Sequence, residues 1–335
     1  MRRVFTSLLI VLMAAAVLLA GSVWWWLQEP MPLRVQPGNQ VVDLEIEHGT
    51  TANVVAETVV ASGADVPVLL LQAWFRLSGK ARLIKAGSYE LVPGTTPRAL
   101  LSMLVRGEEA LKSVTLVEGW TFLQMRAALQ KAEQLVPDTA ALTPEMIMEK
   151  LGKPGIHPEG RFFPDTYTYA KGSSDLGVLK RAARAMDKRL DAAWRLRSAD
   201  TPLKSPDQAL ILASIVEKET GKSQDRAQIG GVFSNRLRIG MPLQTDPTVI
   251  YGLGAQFDGN LRKRDLQTDT PYNTYTRQGL PPTPIAMPGK AALLAAVQPA
   301  STQALYFVSR GDGSSQFSAN LDEHNRAVNK YIRGR

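Results

Sequence analysis

Two glutamates, Glu217 and Glu219, close an apolar run that occupies residues 209–216. The pattern predicts a helix over 206–220. Ser205 suits the N-cap, Pro206 the first helical position, Gln208 completes a capping box, and Gly221 stands where a C-terminal glycine belongs. At about 100° per residue, Ile211, Leu212, Ile215 and Val216 share one face, and Glu219 falls on it. Glu217 points about 160° away, toward Ala213 and Ser214. A carboxyl on an apolar face at a helix C-terminus loses hydration and meets the negative end of the helix dipole, and both effects favour the protonated form. A protonated carboxyl is what a general acid needs to give a proton to a glycosidic oxygen near neutral pH. Spacing alone leaves a structural reading open, in which Glu219 reaches solvent or pairs with a basic neighbour such as Arg226.

The following segments supply polar and aromatic groups. Residues 231–240 read as a second helix carrying Asn235, Arg236 and Arg238. Next come Pro242, Gln244, Thr245 and Asp246 in a run ending at Gly252. A further cluster, Tyr272-Asn273-Thr274-Tyr275, leads into the proline-rich stretch 279–285. Amides, hydroxyls and tyrosine rings on proline-fixed loops suit a sugar-binding cleft, because a sugar offers hydroxyl edges and apolar ring faces. Turn chemistry and core tyrosines are the competing explanation for each motif taken singly. Asn273 and Gln244 are the candidates for holding a sugar, and Tyr272 and Tyr275 for stacking on it. Glu217, Asn235, Thr245 and Asp246 complete the candidate set.

Other chemistries lack their residues. His48, His157 and His324 are isolated, with no metal-ligand spacing, so neither a metal site nor a cofactor is expected. No serine precedes a lysine by three positions, and neither a Gly-x-Ser-x-Gly elbow nor a phosphate-binding loop occurs. With no cysteine, disulfides, thiolate zinc sites and a cysteine nucleophile are excluded, while an oxidising compartment stays possible. Arg310-Gly311-Asp312 reads as a hairpin turn.

At 335 residues the chain has room for two or three domains around these groups. Residues 4–27 carry no charge, follow Arg2 and Arg3, and end in Trp24, Trp25 and Trp26. That is long enough to span a bilayer, with the arginines holding residues 1–3 in the cytoplasm and the tryptophans at the far interface. A cleaved signal peptide is the competing reading, disfavoured by the length of the apolar run and by Ala20-Gly21-Ser22 as a poor cleavage site. Residues 28–39 contain Pro30, Pro32 and Pro37, and predict an extended stalk lifting the body off the membrane.

A small α+β module is expected over 40–108. It has strand-like alternation at 41–47, helical spacing at 51–61 and 66–77, a strand or hairpin at 83–92, and a helix capped by Thr96 and Pro97. A larger mixed α+β domain follows over 109–335. Its segment 159–167 is too aromatic for a solvated loop, and 305–318 reads as a hairpin before a last helix at 321–332. Of the net charge of +8, two units are Arg2 and Arg3. The remaining basic surface suits phospholipid headgroups or peptidoglycan carboxylates, and no nucleic-acid-binding signature accompanies it.

The chain resembles the YceG-like endolytic murein transglycosylases. The resemblance covers nearly everything after the apolar segment and is densest at 213–220, 235–241, 243–252 and 272–276, with 159–167 and 279–282 also matching. It implies a single-pass inner-membrane anchor, a LysM-like glycan-binding module at 40–108, and a catalytic domain in the periplasm. The partners implied are peptidoglycan strands and proteins of cell-wall synthesis. The activity implied is endolytic cleavage of the β-1,4 bond between N-acetylmuramic acid and N-acetylglucosamine, leaving a 1,6-anhydro end and terminating strand elongation. The second glutamate of Glu217-Lys218-Glu219 is the catalytic residue the resemblance implies, agreeing with the helix geometry.

A single carboxyl suffices if it first protonates the glycosidic oxygen and then acts as base on the muramic acid C6 hydroxyl closing onto C1. The rivals are a hydrolytic muramidase pairing Glu219 with Asp246 or Asp165, and a non-catalytic glycan-binding scaffold. Two departures from the family pattern stand out. Thr283-Pro284 stands where a glycine-containing variant is also common, and Gly230-Gly231, in place of a more helix-favouring pair, predicts a bend at the start of the second helix, each glycine costing about 1 kcal/mol of helix propensity.

Overall fold

A computed structural model of the chain describes residues 2–34, 41–47, 49–219 and 222–334, without the side chains of 2–9 and Ser223. His48, Gly221 and the stalk residues 35–39 lie outside it. The chain divides into two compact units, Met1–Lys112 and Ser113–Arg335.

The first unit begins with helix α1 (Arg2–Gln28), whose stretch Ile10–Gln28 is long and apolar enough to cross a membrane. Strand β1 (Val42–Ile46), helices α2 (Ala52–Ser62) and α3 (Val68–Leu77), strand β2 (Gly87–Leu91) and helix α4 (Pro97–Arg106) follow. The strands pair antiparallel, from Val42 opposite Leu91 to Ile46 opposite Gly87. Alternation in β1 turns Val42, Leu44 and Ile46 inward onto Val55, Val59, Leu71, Phe75 and Leu104. Helix α4 forms as the sequence predicts. The Thr96 hydroxyl accepts from Ala99 N, Pro97 fills the first turn, and Gly107 closes the helix in the left-handed region at φ 71°.

The expected stalk is not free of the module. Met31 is buried in the unit's core and donates its N–H to Thr95 O, Arg34 donates to Gly63 O, and Leu33 bridges Ala64. Over residues 31–34 the chain therefore runs against the module.

The second unit runs β3 (Leu111–Thr115), α5 (Phe122–Lys131), α6 (Pro144–Lys150), β4 (Thr166–Ala170), α7 (Asp175–Arg195), α8 (Pro206–Glu219), α9 (Ser223–Arg238), α10 (Asp246–Leu253), α11 (Lys263–Gln267), α12 (Lys290–Val297), β5 (Tyr306–Ser309), β6 (Ser315–Ser318) and α13 (Leu321–Val328). Strand β3 straddles the junction and pairs with β4, while β5 and β6 form the antiparallel hairpin expected around Gly311.

Two cores build this unit. In one, Phe122 of α5 stacks on Phe162 at 5.2 Å, and Met125, Ile147, Tyr169 and Leu179 close round them, so segment 159–167 packs inward. In the other, α7, α9, α10 and α12 surround α8.

Two expectations change here. The second helix begins at Ser223, eight residues before the expected start, and passes unbroken through Gly230-Gly231. A Cβ on Gly230 would lie 2.3 Å from Ala295 O, and one on Gly231 would lie 2.7 Å from Ala300 O. The glycine pair therefore admits the backbone at the end of α12 and just beyond it, and its propensity cost does not interrupt the helix. Residues 246–252 are also helical, not loop. Pro247 in the first turn supports α10 instead of preventing it.

Candidate active site

Helix α8 carries both glutamates. Its N-terminus is capped by Ser205, whose hydroxyl accepts from Gln208 N at 3.2 Å. The expected reciprocal bond shifts by one residue, since the Gln208 carbonyl accepts from Lys204 N at 2.7 Å. Every residue from Ala209 to Val216 is buried, so the helix has no solvent face along that stretch and the contrast between an apolar and a polar side does not apply. What separates Glu217 from Glu219 is the chemistry of their partners.

Glu219 is half-buried and receives one short hydrogen bond on Oε2, from the Thr245 hydroxyl at 2.6 Å. Burial raises its pKa above the usual glutamate value, and the negative charge of Asp246 adds to the rise. The Thr245 hydrogen bond and the positive charge of Arg236 act against it. The net direction is upward, toward a carboxyl that keeps its proton.

Thr245 is held rigidly in place. Its N–H donates to Thr274 Oγ1 at 3.1 Å, and its carbonyl accepts from Thr248 Oγ1 at 2.8 Å. Buried Arg236 ties the strand-like approach, donating to Leu243 O at 2.7 Å from Nη1 and to Leu305 O at 2.7 Å from Nε. Between Leu243 and Thr245, exposed Gln244 sits at φ 48°, a left-handed conformation that costs a non-glycine residue about 1 kcal/mol or more. Its backbone N–H donates to Thr274 O. Tyr275 donates its hydroxyl to Asp246 Oδ1 at 2.6 Å, which fixes that exposed carboxylate at the mouth of α10.

Glu217 is differently placed. Its side chain is 7% exposed; Oε2 accepts from Gly289 N, the N-cap of α12, at 2.8 Å, and Oε1 lies 3.6 Å from Arg226 Nη2. The basic neighbour considered for Glu219 therefore belongs to Glu217. Burial raises the Glu217 pKa, opposed by the Gly289 bond and then by Arg226. A carboxylate bound to a helix start and a guanidinium is a strut between α8, α9 and α12.

The other candidates divide the same way. Asn273 is fully buried. Its Nδ2 donates to the carbonyls of Asp265, Leu266 and Thr268, and its Oδ1 accepts from Tyr275 N, so it clamps its loop and has no amide left for a sugar. Asn235 donates to Thr302 O and Ala304 O and accepts from Arg238, another backbone clamp. Tyr272 packs edge-on against Tyr251, with centroids 4.9 Å apart, and its hydroxyl meets Thr283 Oγ1 at 2.8 Å. Glu219, Thr245, Asp246 and Tyr275 thus lie together, with exposed Gln244 next to Thr245 in the chain, while Glu217, Asn235, Asn273 and Tyr272 support. The rival partner Asp165 is engaged elsewhere, accepting from Thr166 N and facing Arg189.

Sequence reasoning passed over Glu159. It is 3% exposed, accepts from Phe122 N at 2.9 Å and from the Tyr251 hydroxyl at 3.1 Å, and burial pushes its pKa up to about 7. Through Tyr251 it grips α10, the helix that begins at Asp246. No local pattern marks it, because its partners lie 37 and 92 residues away.

A buried-helix glutamate with a hydroxyl donor, a neighbouring aspartate and tyrosine, and loops locked by backbone clamps are the groups that acid/base chemistry on a glycosidic bond requires. The chain belongs to the YceG-like family, which it matches over residues 44–330. It is 30% identical over 308 residues to the endolytic murein transglycosylase of Bacillus subtilis, covering 87% of this chain and 85% of that protein. It is 29% identical to the protein of the same name from Streptococcus pneumoniae, where 74% of this chain spans 51% of the relative. A crystal structure of a yceG-like protein from Listeria monocytogenes superposes with a TM-score of 0.55 at 28% identity, covering 87% of this chain and all of that one.

Proposed function

We propose that the chain is an endolytic peptidoglycan lytic transglycosylase with Glu219 as its single acid/base. The carrying observation is the Glu219 carboxyl, raised in pKa by burial and met on Oε2 by the Thr245 hydroxyl, in a chain whose relatives bear that activity in their names. Protonated Glu219 gives its proton to the β-1,4 glycosidic oxygen. The resulting carboxylate takes the proton of the muramic acid C6 hydroxyl as that oxygen closes onto C1, so the acid is regenerated and no water is consumed. Asp246, anchored by Tyr275, supplies negative charge beside the cation-like transition state. Gln244 and Tyr275 are the groups placed to meet the sugar.

In this reading α1 is a retained single-pass anchor in the inner membrane, with its N-terminus in the cytoplasm and the units beyond it in the periplasm. The β1-α2-α3-β2 arrangement is a LysM-like glycan-binding module, and proteins of cell-wall synthesis are its neighbours. Digestion of purified glycan strands followed by mass spectrometry of the ends tests the activity. Anhydro-muramyl ends are expected. Ends heavier by one water would make the enzyme a hydrolase, and strands that are bound but not shortened would make it a scaffold.

A further inference from the structure

Helix α3 is apolar except for Gln72 and Arg76, although only one side of it faces the core. Leu71 and Phe75 are fully buried in the core of the first unit. On the other side Leu69, Leu70, Ala73 and Leu77 fall within an arc of about 100°. Leu69 is 77% exposed and Leu77 82%, and Leu83, just beyond the helix, is 56% exposed. A contiguous exposed apolar patch of this kind marks an interaction surface.

The position of α1 identifies what covers it. Leu70 lines one recess together with Val17, Leu18, Gly21, Ser22, Val23, Trp25 and Trp26 of α1, while Trp26 and Leu27 pack into the unit's core. The α1 residues in that recess span about 13 Å of helix axis. They include the tryptophans that suit a membrane interface and the apolar turns leading up to it. Whatever surrounds the outer end of α1 therefore also meets Leu70. At 10 residues α3 is too short to cross a bilayer, and exposed Arg76, Lys80 and Arg82 rim its far end. An apolar face, a basic rim and insufficient length to span are the features of a helix lying in the headgroup layer.

We infer that α3 is a second membrane contact. Its Leu69, Leu70, Ala73 and Leu77 face lies in the outer boundary of the bilayer that α1 enters, with Arg76, Lys80 and Arg82 at the lipid phosphates. The inference rests on reading α1 as a membrane span. It places the first unit against the bilayer, in keeping with the contacts that residues 31–34 make with the module.

The absence of cysteine makes the test clean, because any introduced thiol is the only one. The full chain, with single cysteines at Leu18, Glu45, Leu69, Ala73 or Leu77, is labelled with an environment-sensitive fluorophore. It is then reconstituted into phosphatidylethanolamine–phosphatidylglycerol vesicles and exposed to brominated lipids or aqueous iodide. Labels at Leu69, Ala73 and Leu77 should lose emission to brominated lipid and resist iodide, as Leu18 does, whereas Glu45 on β1 should show the reverse. Quenching of Leu18 by lipid with Leu69, Ala73 and Leu77 open to iodide would overturn the docking while keeping the anchor. Failure at Leu18 would overturn the span and the docking with it. Shielding of the α3 positions from both quenchers, the signature of a second copy on this face, would also overturn the docking. Ala73→Cys keeps a small side chain, so folding of at least one variant is secured.

Discussion

Glu217 and Glu219 stand two residues apart on the same helix, both partly buried, yet their partners differ in kind. Glu217 accepts from a backbone N–H and lies 3.6 Å from a guanidinium, and the group joins three helices. Glu219 accepts from the Thr245 hydroxyl and lies near the negative charge of Asp246, and burial raises its pKa. In the proposed function this carboxyl is the one that carries the proton to the substrate.

The largest expected effect separates the two by rate. Glu219→Gln keeps the volume and removes the titrating proton, so cleavage should fall by at least about 10²- to 10⁴-fold, one residue serving both proton transfers. Its thermal midpoint should stay level or rise slightly, because a desolvated carboxyl is relieved. Loss of the fold in this variant would make Glu219 a strut as well.

Next, Glu217→Ala should cost about 3 kcal/mol by chemical denaturation, since it strands Arg226 and the start of α12. Activity per folded molecule should survive. A variant equally stable but inactive would reverse the assignment.

Glu159 extends the contrast to a third buried glutamate. With a folded pKa of about 7 against about 4.3 unfolded, the native state holds a proton that the unfolded chain has already released. Its contribution is complete below about pH 4 and is lost as pH rises through 7, about 4 kcal/mol in all. Glu159→Gln should flatten the decline of stability between pH 5 and 7, read by urea titration at each pH. An unchanged slope would mean that Glu159 ionises normally in the fold.

Much of this arrangement was legible in the sequence where the signal is local. Thr96-Pro97 and Ser205-Pro206 each start a helix at the residue their capping chemistry indicates. Tertiary contacts decided the rest. The helical wheel gave Glu217 and Glu219 different sides, but α8 is surrounded, and the identity of each partner came from Gly289, 72 residues from Glu217, and Thr245, 26 from Glu219. Asn235 and Asn273 carry groups fit for a sugar and spend them on backbone carbonyls, which no spacing rule reveals. Gly230-Gly231 suggested weakness in a helix where the approaching backbone of α12 and the residues after it requires the lack of a side chain.

The pH dependence of strand cleavage tests the central claim most directly, because it asks whether the rate follows the Glu219 proton. If Glu219 must be protonated to act, activity falls as pH rises through its pKa, and the descending limb belongs to it. Asp246→Asn removes a charge that raises this pKa, so the limb should move to lower pH. Thr245→Val removes a hydrogen bond that lowers it, so the limb should move to higher pH. Opposite displacements are the predicted result. A descending limb that stays in place in both variants would contradict the assignment of Glu219 as the acid.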